Sequence, residues 1–129
     1  MNIAVILAGG SGTRMGNDVP KQFLKVAGKK VLEHTIEVFE NAKNIDEICI
    51  VSRTDYIHEV ESIIINNGYT KVKKILSGGK ERYDSSLAAI NAYPINNHNL
   101  LFHDAVRPLL TERIIDDCLT ALNQYNAVD

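Results

Sequence analysis

The sequence predicts an α/β fold in which a mostly parallel sheet is flanked by helices. Short apolar runs alternate along the chain with longer segments whose apolar residues recur at helical spacing. This alternation is typical of parallel strands joined by right-handed helical crossovers. Three of the apolar runs lead into loops rich in glycine or charge. Because the carboxyl ends of parallel strands share one edge of a sheet, we expect these loops to gather there and to form a ligand site.

Length and composition limit the number of domains and the classes of function. The 129 residues suffice for one domain with a genuine core, and 45% hydrophobic and 23% charged residues are ordinary for a globular protein. A formal net charge of -2 argues against a nucleic-acid binder. The apolar runs are too short for a membrane span, and the first strand begins without a signal-like segment. Cys49 and Cys118 lie in apolar runs, as reduced core thiols do, so we expect a cytoplasmic protein.

The predicted strands cover residues 3–7, 48–51, 72–76 and 100–102. The predicted helices cover residues 31–42 and 55–67, a segment that begins after the second glycine loop and ends by Pro94, and a segment that begins after Thr111. Gly68 is expected to end the second helix and Thr111 to cap the fourth. Residues 127–129 resemble the start of another connection or strand, so we expect the sequence to be part of a longer protein.

The first loop follows the first strand and contains four glycines, at positions 9, 10, 12 and 16. Glycines let backbone N–H groups approach a ligand, and Arg14 and Lys21 add positive charge, so the segment predicts a polyphosphate site. It is not a Walker A loop, because Lys-Ser/Thr does not follow Gly12. It is not the dinucleotide fingerprint either, because Met15 stands where the third glycine is required. The alternative is a tight turn whose glycines only allow packing.

The second loop begins at Gly78-Gly79 and continues through Arg82 to Ser85. Its glycines would let the backbone contact the flat edge of a base, and a serine hydroxyl can donate to or accept from that edge. However, Asp84 and Ser85 also lie at the expected start of a helix, where ordinary capping explains both residue types without a ligand.

The third loop begins at Asp104, at the end of the last predicted strand. A carboxylate there could hold Mg²⁺, which prefers one or two carboxylates together with substrate phosphate oxygens. The alternative is an aspartate that caps the loop before Pro108. Arg107 could reach a phosphate or pair with a carboxylate. His103 is expected to face the opposite side of the strand, and the four histidines lack metal-ligand spacing.

Together the three loops resemble those of the cytidylyltransferases that join CTP to a sugar-alcohol phosphate. The segments that carry the resemblance are 7–15 with 20–23, 78–85 and 103–108. The resemblance implies a Rossmann-like sheet of the nucleotide-diphospho-sugar transferase type, truncated before the last strands. Residues 1–129 would then be the nucleotide-binding part of a single domain whose C-terminal remainder is absent. The resemblance also implies a homodimer for the full-length protein, and no nucleic-acid or membrane partner is expected.

The resemblance further implies a role for each candidate residue. CTP would be bound by Ala8, Gly9, Gly10, Gly12, Gly79, Arg82, Ser85 and Ala105. Arg14 and Lys21 would be catalytic, Asp104 would hold Mg²⁺, and Arg107 would lie beside the acceptor. The implied reaction is attack of the acceptor phosphate on the α-phosphorus of CTP, with release of pyrophosphate. The attacking oxygen is already anionic near neutral pH, so a general base is not required.

Two branches of this family differ in their acceptor, which is ribitol 5-phosphate in one and 2-C-methyl-D-erythritol 4-phosphate in the other. The opening Leu-Ala-Gly-Gly at residues 7–10 and Val106 favour the ribitol branch. Two other hypotheses stay open at this point. One is a nicotinamide-dependent oxidoreductase that uses the first loop, and the other is a nucleotide-binding fragment without catalytic activity.

Overall fold

The computed structural model describes residues 1–9, 19–79, 81–94, 98–107 and 110–124. In these ranges the strands are β1 (Asn2–Ala8), β2 (Lys25–Val26), β3 (Lys29–Lys30), β4 (Glu47–Ser52), β5 (Val72–Ser77) and β6 (Asn99–Asp104). The α-helices are α1 (Val31–Asn41), α2 (Ile57–Asn67), α3 (Arg82–Ala92) and α4 (Glu112–Leu122). Short 3-10 helices cover Lys21–Phe23 and Thr54–Tyr56. The predicted alternation of strands and helices is confirmed.

The four longer strands form one parallel sheet in the order β5-β4-β1-β6. Strand β1 lies in the middle, and the register places Leu7 between Val51 of β4 and Asp104 of β6. The carboxyl ends of the strands therefore lie at one edge, as the sequence predicts. This edge is where the first and third predicted loops begin.

Helices cover both faces of the sheet. On one face, Ile6 packs in a buried cluster with side chains from α1, α2 and α4, among them Phe39 and Ile115. On the other face, Val5 packs with Ala89 of α3 and with Tyr93, which follows that helix. Neighbouring residues of β1 thus face opposite layers, as the period of a strand requires. An apolar strand covered on both sides explains the continuous hydrophobic run at the start of the sequence.

The predicted helix ends agree with the structure at two positions. Gly68 adopts a left-handed conformation with φ of 66° and ends α2, where its N–H group donates to the carbonyl of Ile64. Thr111 caps α4, because its hydroxyl oxygen accepts from the N–H group of Ile114 at 3.3 Å. The structure also adds an element. Residues 27 and 28 form the tip of the β2–β3 hairpin, and both Ala27 and Gly28 have positive φ.

Both cysteines are free thiols, but they differ in burial. Cys49 is fully buried in β4, and burial raises the pKa of its thiol to about 11. Cys118 is only half-buried in α4, so the prediction of a core position is correct for the first thiol and only partly for the second. In the described part of the chain, none of the helices has the length and apolar character needed to cross a bilayer.

Candidate functional site

A cavity of about 220 Å³ opens at the carboxyl edge of the sheet. Its described lining residues are Leu7, Gly9, Gly79, Glu81, Arg82, Ser85 and Asp104. The end of β1, the loop before α3 and the end of β6 all contribute to it. The structure therefore brings residues of all three predicted loops to one place, although they lie far apart in the sequence.

The first loop leaves the sheet at Ala8, whose carbonyl oxygen accepts a hydrogen bond from the side-chain amide of Gln22 at 2.8 Å. Both residues are buried. Lys21 precedes Gln22, so this bond places the lysine backbone at the same edge of the sheet, while its side chain is exposed. Lys21 is not among the described lining residues of the cavity. Gly10, Gly12 and Arg14, which the sequence places in this loop, lie outside the described residues.

Ser85 fills the space between two glycine segments and is only 4% exposed. A Cβ atom added to Gly9 would lie 3.2 Å from the Ser85 hydroxyl oxygen, and one added to Gly78 would lie 2.7 Å from it. The backbone at both positions therefore packs directly against this side chain. Among the described residues, none forms a hydrogen bond with the Ser85 hydroxyl, which lines the cavity. A hydroxyl at this position of the cavity wall can donate to or accept from a ligand.

The sequence left open whether helix capping accounts for both Asp84 and Ser85. In the structure it accounts for Asp84 only. The Asp84 carboxylate accepts from the backbone N–H group of Glu81 at 3.1 Å and so stabilises the start of α3. Gly79 lies against the same aspartate, because a Cβ atom at this position would come within 2.2 Å of the Asp84 Cβ. A glycine is therefore needed at position 79 for the loop to pass the helix.

Asp104 forms ion pairs with two arginines. Nη1 of Arg82 lies 2.9 Å from Oδ2 of Asp104, and Nε of Arg107 lies 3.7 Å from the same oxygen. The Asp104 side chain is 27% exposed, whereas those of Arg82 and Arg107 are 61% and 77% exposed. Arg107 thus pairs with a carboxylate, which is one of its two predicted roles. It is not among the described lining residues of the cavity.

Ala105 lies behind the cavity wall and is 1% exposed. Its N–H group donates to the carbonyl of Leu7 at 3.0 Å, and its own carbonyl accepts from the hydroxyl of Thr35 at 2.9 Å. The backbone of the third loop is therefore tied both to β1 and to α1. His103, the residue before Asp104, faces the other side of the sheet, where its ring contacts Phe39 edge-on. The predicted orientation of His103 is confirmed.

Sequence reasoning missed two residues that support the site, Gln22 and Thr35. Each is a buried polar side chain that binds the carbonyl of a residue where a loop begins. A signal for Thr35 was present, because it falls on the apolar face of α1 beside Leu32 and Ile36. A polar residue at such a position must find a hydrogen-bond partner in the core. Gln22 does not lie on a predicted helix or strand, so apart from its position next to Lys21 nothing in the sequence indicates that it is buried.

The donor set fits a magnesium ion that arrives with a ligand. Asp104 supplies a carboxylate at the cavity, and Mg²⁺ is commonly held by one or two carboxylates together with phosphate oxygens. Among the described residues, there is no group of three or more histidine, cysteine, aspartate or glutamate side chains that could hold a metal ion. Asp104 would hold such an ion together with phosphate oxygens of the ligand.

Comparison with known proteins identifies the family. The model of the family described as "IspD: 2-C-methyl-D-erythritol 4-phosphate cytidylyltransferase" matches residues 2–128. The chain belongs to this cytidylyltransferase family. The match spans all three loops that line the cavity, which agrees with the resemblance found in the sequence.

Individual relatives come from both branches of the family. The chain is 52% identical over 130 residues to a bifunctional ribulose 5-phosphate reductase/CDP-ribitol pyrophosphorylase of Haemophilus influenzae, covering 99% of this chain and 27% of the relative. It is 37% identical over 127 residues to a 2-C-methyl-D-erythritol 4-phosphate cytidylyltransferase of Lachnospira eligens, covering 98% of this chain and 56% of the relative.

A solved cytidylyltransferase shares the fold. The crystal structure of 4-diphosphocytidyl-2C-methyl-D-erythritol synthase from Anaerococcus prevotii superposes with a TM-score of 0.77 and 30% sequence identity, covering 95% of this chain and 51% of that chain. This agreement confirms the parallel α/β fold predicted from the sequence. The chain spans about a quarter of the bifunctional relative and about half of the two single-function synthases.

Proposed function

We propose that this chain forms the CTP-binding part of a cytidylyltransferase that transfers CMP to a sugar-alcohol phosphate and releases pyrophosphate. The observation that carries the proposal is the convergence of Gly9, Gly79, Ser85 and Asp104 on one cavity at the carboxyl edge of the sheet. This is the edge at which parallel α/β sheets bind their ligands. The family match over residues 2–128 supports the same activity.

We assign contacts with a pyrimidine nucleotide to the described residues of the cavity. The buried Ser85 hydroxyl lines the cavity and would read a polar edge of the base. Gly9 and Gly79 also line the cavity, so their backbone would contact the ligand. The glycines at positions 10 and 12 would extend this backbone cradle along the triphosphate. Ala105 would hold the third loop in place from behind the wall.

Catalysis would depend on alignment and on neutralising charge. The attacking phosphate oxygen is anionic, so the chain needs to orient the reactants and to stabilise the negative charge on the five-coordinate phosphorus. We assign this to Arg14 within the first loop and to Lys21 after it. Arg107, whose exposed side chain pairs with the cavity residue Asp104, would contact the acceptor phosphate. A Mg²⁺ ion held by Asp104 and the nucleotide would supply Lewis-acid stabilisation of the phosphate oxygens.

The acceptor we propose is ribitol 5-phosphate. The relative from Haemophilus influenzae, named as a CDP-ribitol pyrophosphorylase, shares 52% identity with the chain, compared with 37% for the relative from Lachnospira eligens, which is named for methylerythritol phosphate. The family model, which is named for methylerythritol phosphate, keeps that acceptor as the alternative.

A cytoplasmic homodimer is part of the proposal for the full-length protein, and the two free thiols suit a reducing compartment.

Two measurements test the proposal. Calorimetry on the chain should show that Mg·CTP binds more tightly than Mg·ATP or NAD(P), and Asp104→Asn should weaken CTP binding. Pyrophosphate release from CTP by the protein that carries this chain should then be faster with ribitol 5-phosphate than with 2-C-methyl-D-erythritol 4-phosphate. Preference for NAD(P) would contradict the nucleotide assignment. CTP binding without turnover on either acceptor would indicate a binding function only.

A further inference from the structure

We propose that Arg82 is a charge gate on Asp104. When no nucleotide is bound, Arg82 opposes binding of a free divalent cation to this carboxylate, so that the cation enters together with a polyanionic nucleotide. The nucleotide half of this inference rests on the proposed function, whereas the effect on a free cation can be measured without any nucleotide. Arg82 would thereby be a positioning residue that sets the order in which metal and nucleotide bind.

The ion pairs around Asp104 provide the first argument. Two guanidinium groups contact one carboxylate, and both contact the same oxygen, Oδ2, with Arg82 at 2.9 Å and Arg107 at 3.7 Å. The immediate surroundings of the carboxylate are therefore positively charged. Glu81 also lines the cavity, but in the described part of the chain it forms no ion pair with either arginine. A contacting charge outweighs one that is separated by solvent.

The coordination chemistry of Mg²⁺ provides the second argument. The ion gives up its water ligands reluctantly and is held in nucleotide sites by one or two carboxylates plus phosphates. A free ion at Asp104 would find a carboxylate whose charge is already balanced by Arg82. It would gain little from the protein to offset its dehydration and its repulsion from two arginines. A triphosphate reverses this balance, because it brings several negative charges and further oxygen ligands.

The position of Arg82 allows it to pair with Asp104 when no nucleotide is bound and with phosphate oxygens when a nucleotide is bound. It is the first residue of α3, its side chain is 61% exposed, and it lines the cavity next to Gly79 and Ser85. A side chain with this exposure can leave Asp104 and turn toward phosphate oxygens without disturbing the core. Guanidinium groups bind carboxylates and phosphates with the same planar geometry, so Arg82 would exchange one anionic partner for another.

The test measures binding of Mn²⁺ to the chain without nucleotide, using the electron paramagnetic resonance signal of the free ion. We expect Arg82→Ala to bind Mn²⁺ about 2- to 5-fold more tightly than the wild type, the range that corresponds to loss of an exposed ion pair. Arg82→Lys, which keeps the charge, should show a smaller gain. Arg107→Ala is the matched control, and its effect should be smaller because its contact is longer and its side chain more exposed. When Asp104→Asn is combined with any of these variants, the gain in Mn²⁺ affinity should be abolished.

Several outcomes would overturn the gate. Unchanged or weaker Mn²⁺ binding by Arg82→Ala, in protein whose circular dichroism spectrum is native, would exclude it. An equal gain in Arg107→Ala would assign the effect to net charge rather than to this ion pair. A gain that survives Asp104→Asn would place the cation elsewhere. In the presence of CTP, Arg82→Ala should no longer bind Mn²⁺ more tightly than the wild type. Tighter binding that persists with CTP would contradict the exchange of Arg82 from Asp104 to phosphate oxygens. Failure of CTP to bind would count against the proposed function and leave the result for the free cation valid.

Discussion

The side-chain amide of Gln22 donates a hydrogen bond to the carbonyl oxygen of Ala8 at 2.8 Å, and both groups are buried. Ala8 is the last residue of β1, so this bond fixes the point at which the first loop leaves the sheet. The same contact holds the backbone next to Lys21 against the strand. One buried side chain therefore connects the predicted phosphate loop with the predicted catalytic lysine.

Replacing Gln22 should weaken both the fold and the site. Gln22→Leu keeps the approximate volume but leaves the Ala8 carbonyl without this donor, which we expect to lower the free energy of unfolding by about 1–3 kcal/mol. Urea denaturation measures this loss, and calorimetry should show weaker binding of Mg·CTP. Gln124→Leu, at an exposed position after α4, is the control and should change stability by less than about 0.5 kcal/mol. Equal effects of the two substitutions would contradict the bracing role of Gln22.

The Ser85 hydroxyl should contribute to nucleotide affinity more than to stability. No described residue forms a hydrogen bond with this hydroxyl, so within the fold Ser85→Ala removes only the contact of one oxygen with the backbone at Gly9 and Gly78. We expect CTP affinity to fall by about 2- to 10-fold, which is the value of one hydrogen bond. Ser86→Ala, on the next residue of α3, should leave the affinity unchanged. A large loss of stability without a change in affinity would identify Ser85 as a structural residue.

A methyl group at Gly78 should interfere with Ser85 specifically. The Cβ atom of Gly78→Ala would lie 2.7 Å from the Ser85 hydroxyl oxygen, closer than real Cβ contacts allow. We expect the single variant to be destabilised by about 1–3 kcal/mol, as overpacked positions are. Combining it with Ser85→Ala should recover part of that loss, because the oxygen that clashes is gone. Thermal denaturation of the four proteins gives the coupling energy, and additive losses would refute the contact.

Lys21 should matter for turnover rather than for folding. Its side chain is exposed in the 3-10 helix, so Lys21→Ala is expected to leave the melting temperature within a degree or two of the wild type. In the protein that carries the complete site, loss of one preorganised cation should lower turnover by about 10²–10³. Lys25→Ala, an exposed lysine in β2, is the matched control. Near-normal turnover of Lys21→Ala would remove this residue from the mechanism.

The pH dependence of stability should report the Glu37 carboxylate. Burial acts to raise its pKa, but hydrogen bonds from Lys29 at 2.7 Å and from Tyr69 at 2.7 Å outweigh this and hold the pKa below its ordinary value of 4.5. Because the folded pKa is the lower one, the carboxylate stabilises the fold above pH 4.5 and this contribution is lost as the pH falls through the folded pKa.

The variant Glu37→Gln tests this dependence. Its deficit in unfolding free energy, about 1 kcal/mol for a partly exposed cluster, should be constant near neutral pH and shrink as the pH falls below 4.5. Asp117→Asn, at an exposed position of α4, should show no comparable trend. A deficit of Glu37→Gln that stays constant down to pH 3 would contradict the lowered pKa.

The local pattern of the chain was enough to predict the α-helices and the strands of the parallel sheet that the structure describes, but not the β2–β3 hairpin. Residues 3–7 form an uninterrupted apolar run because both faces of β1 are covered, and Gly68 ends α2 because it accepts a left-handed conformation. Such features depend on residues a few positions apart, so they can be read directly from the sequence. The loops that contribute to the cavity were predicted for the same reason, since each follows a strand.

The sequence by itself thus determined the parallel α/β fold, the three loops and their shared edge of the sheet. Only the tertiary structure decided which side chains meet at that edge. The pairs that build the site are far apart along the chain: Arg82 reaches Asp104 over 22 residues, and Thr35 reaches Ala105 over 70. Their contacts follow from the strand order β5-β4-β1-β6 and from its register. Both are set by how the helices pack on the sheet as a whole, which no local pattern encodes.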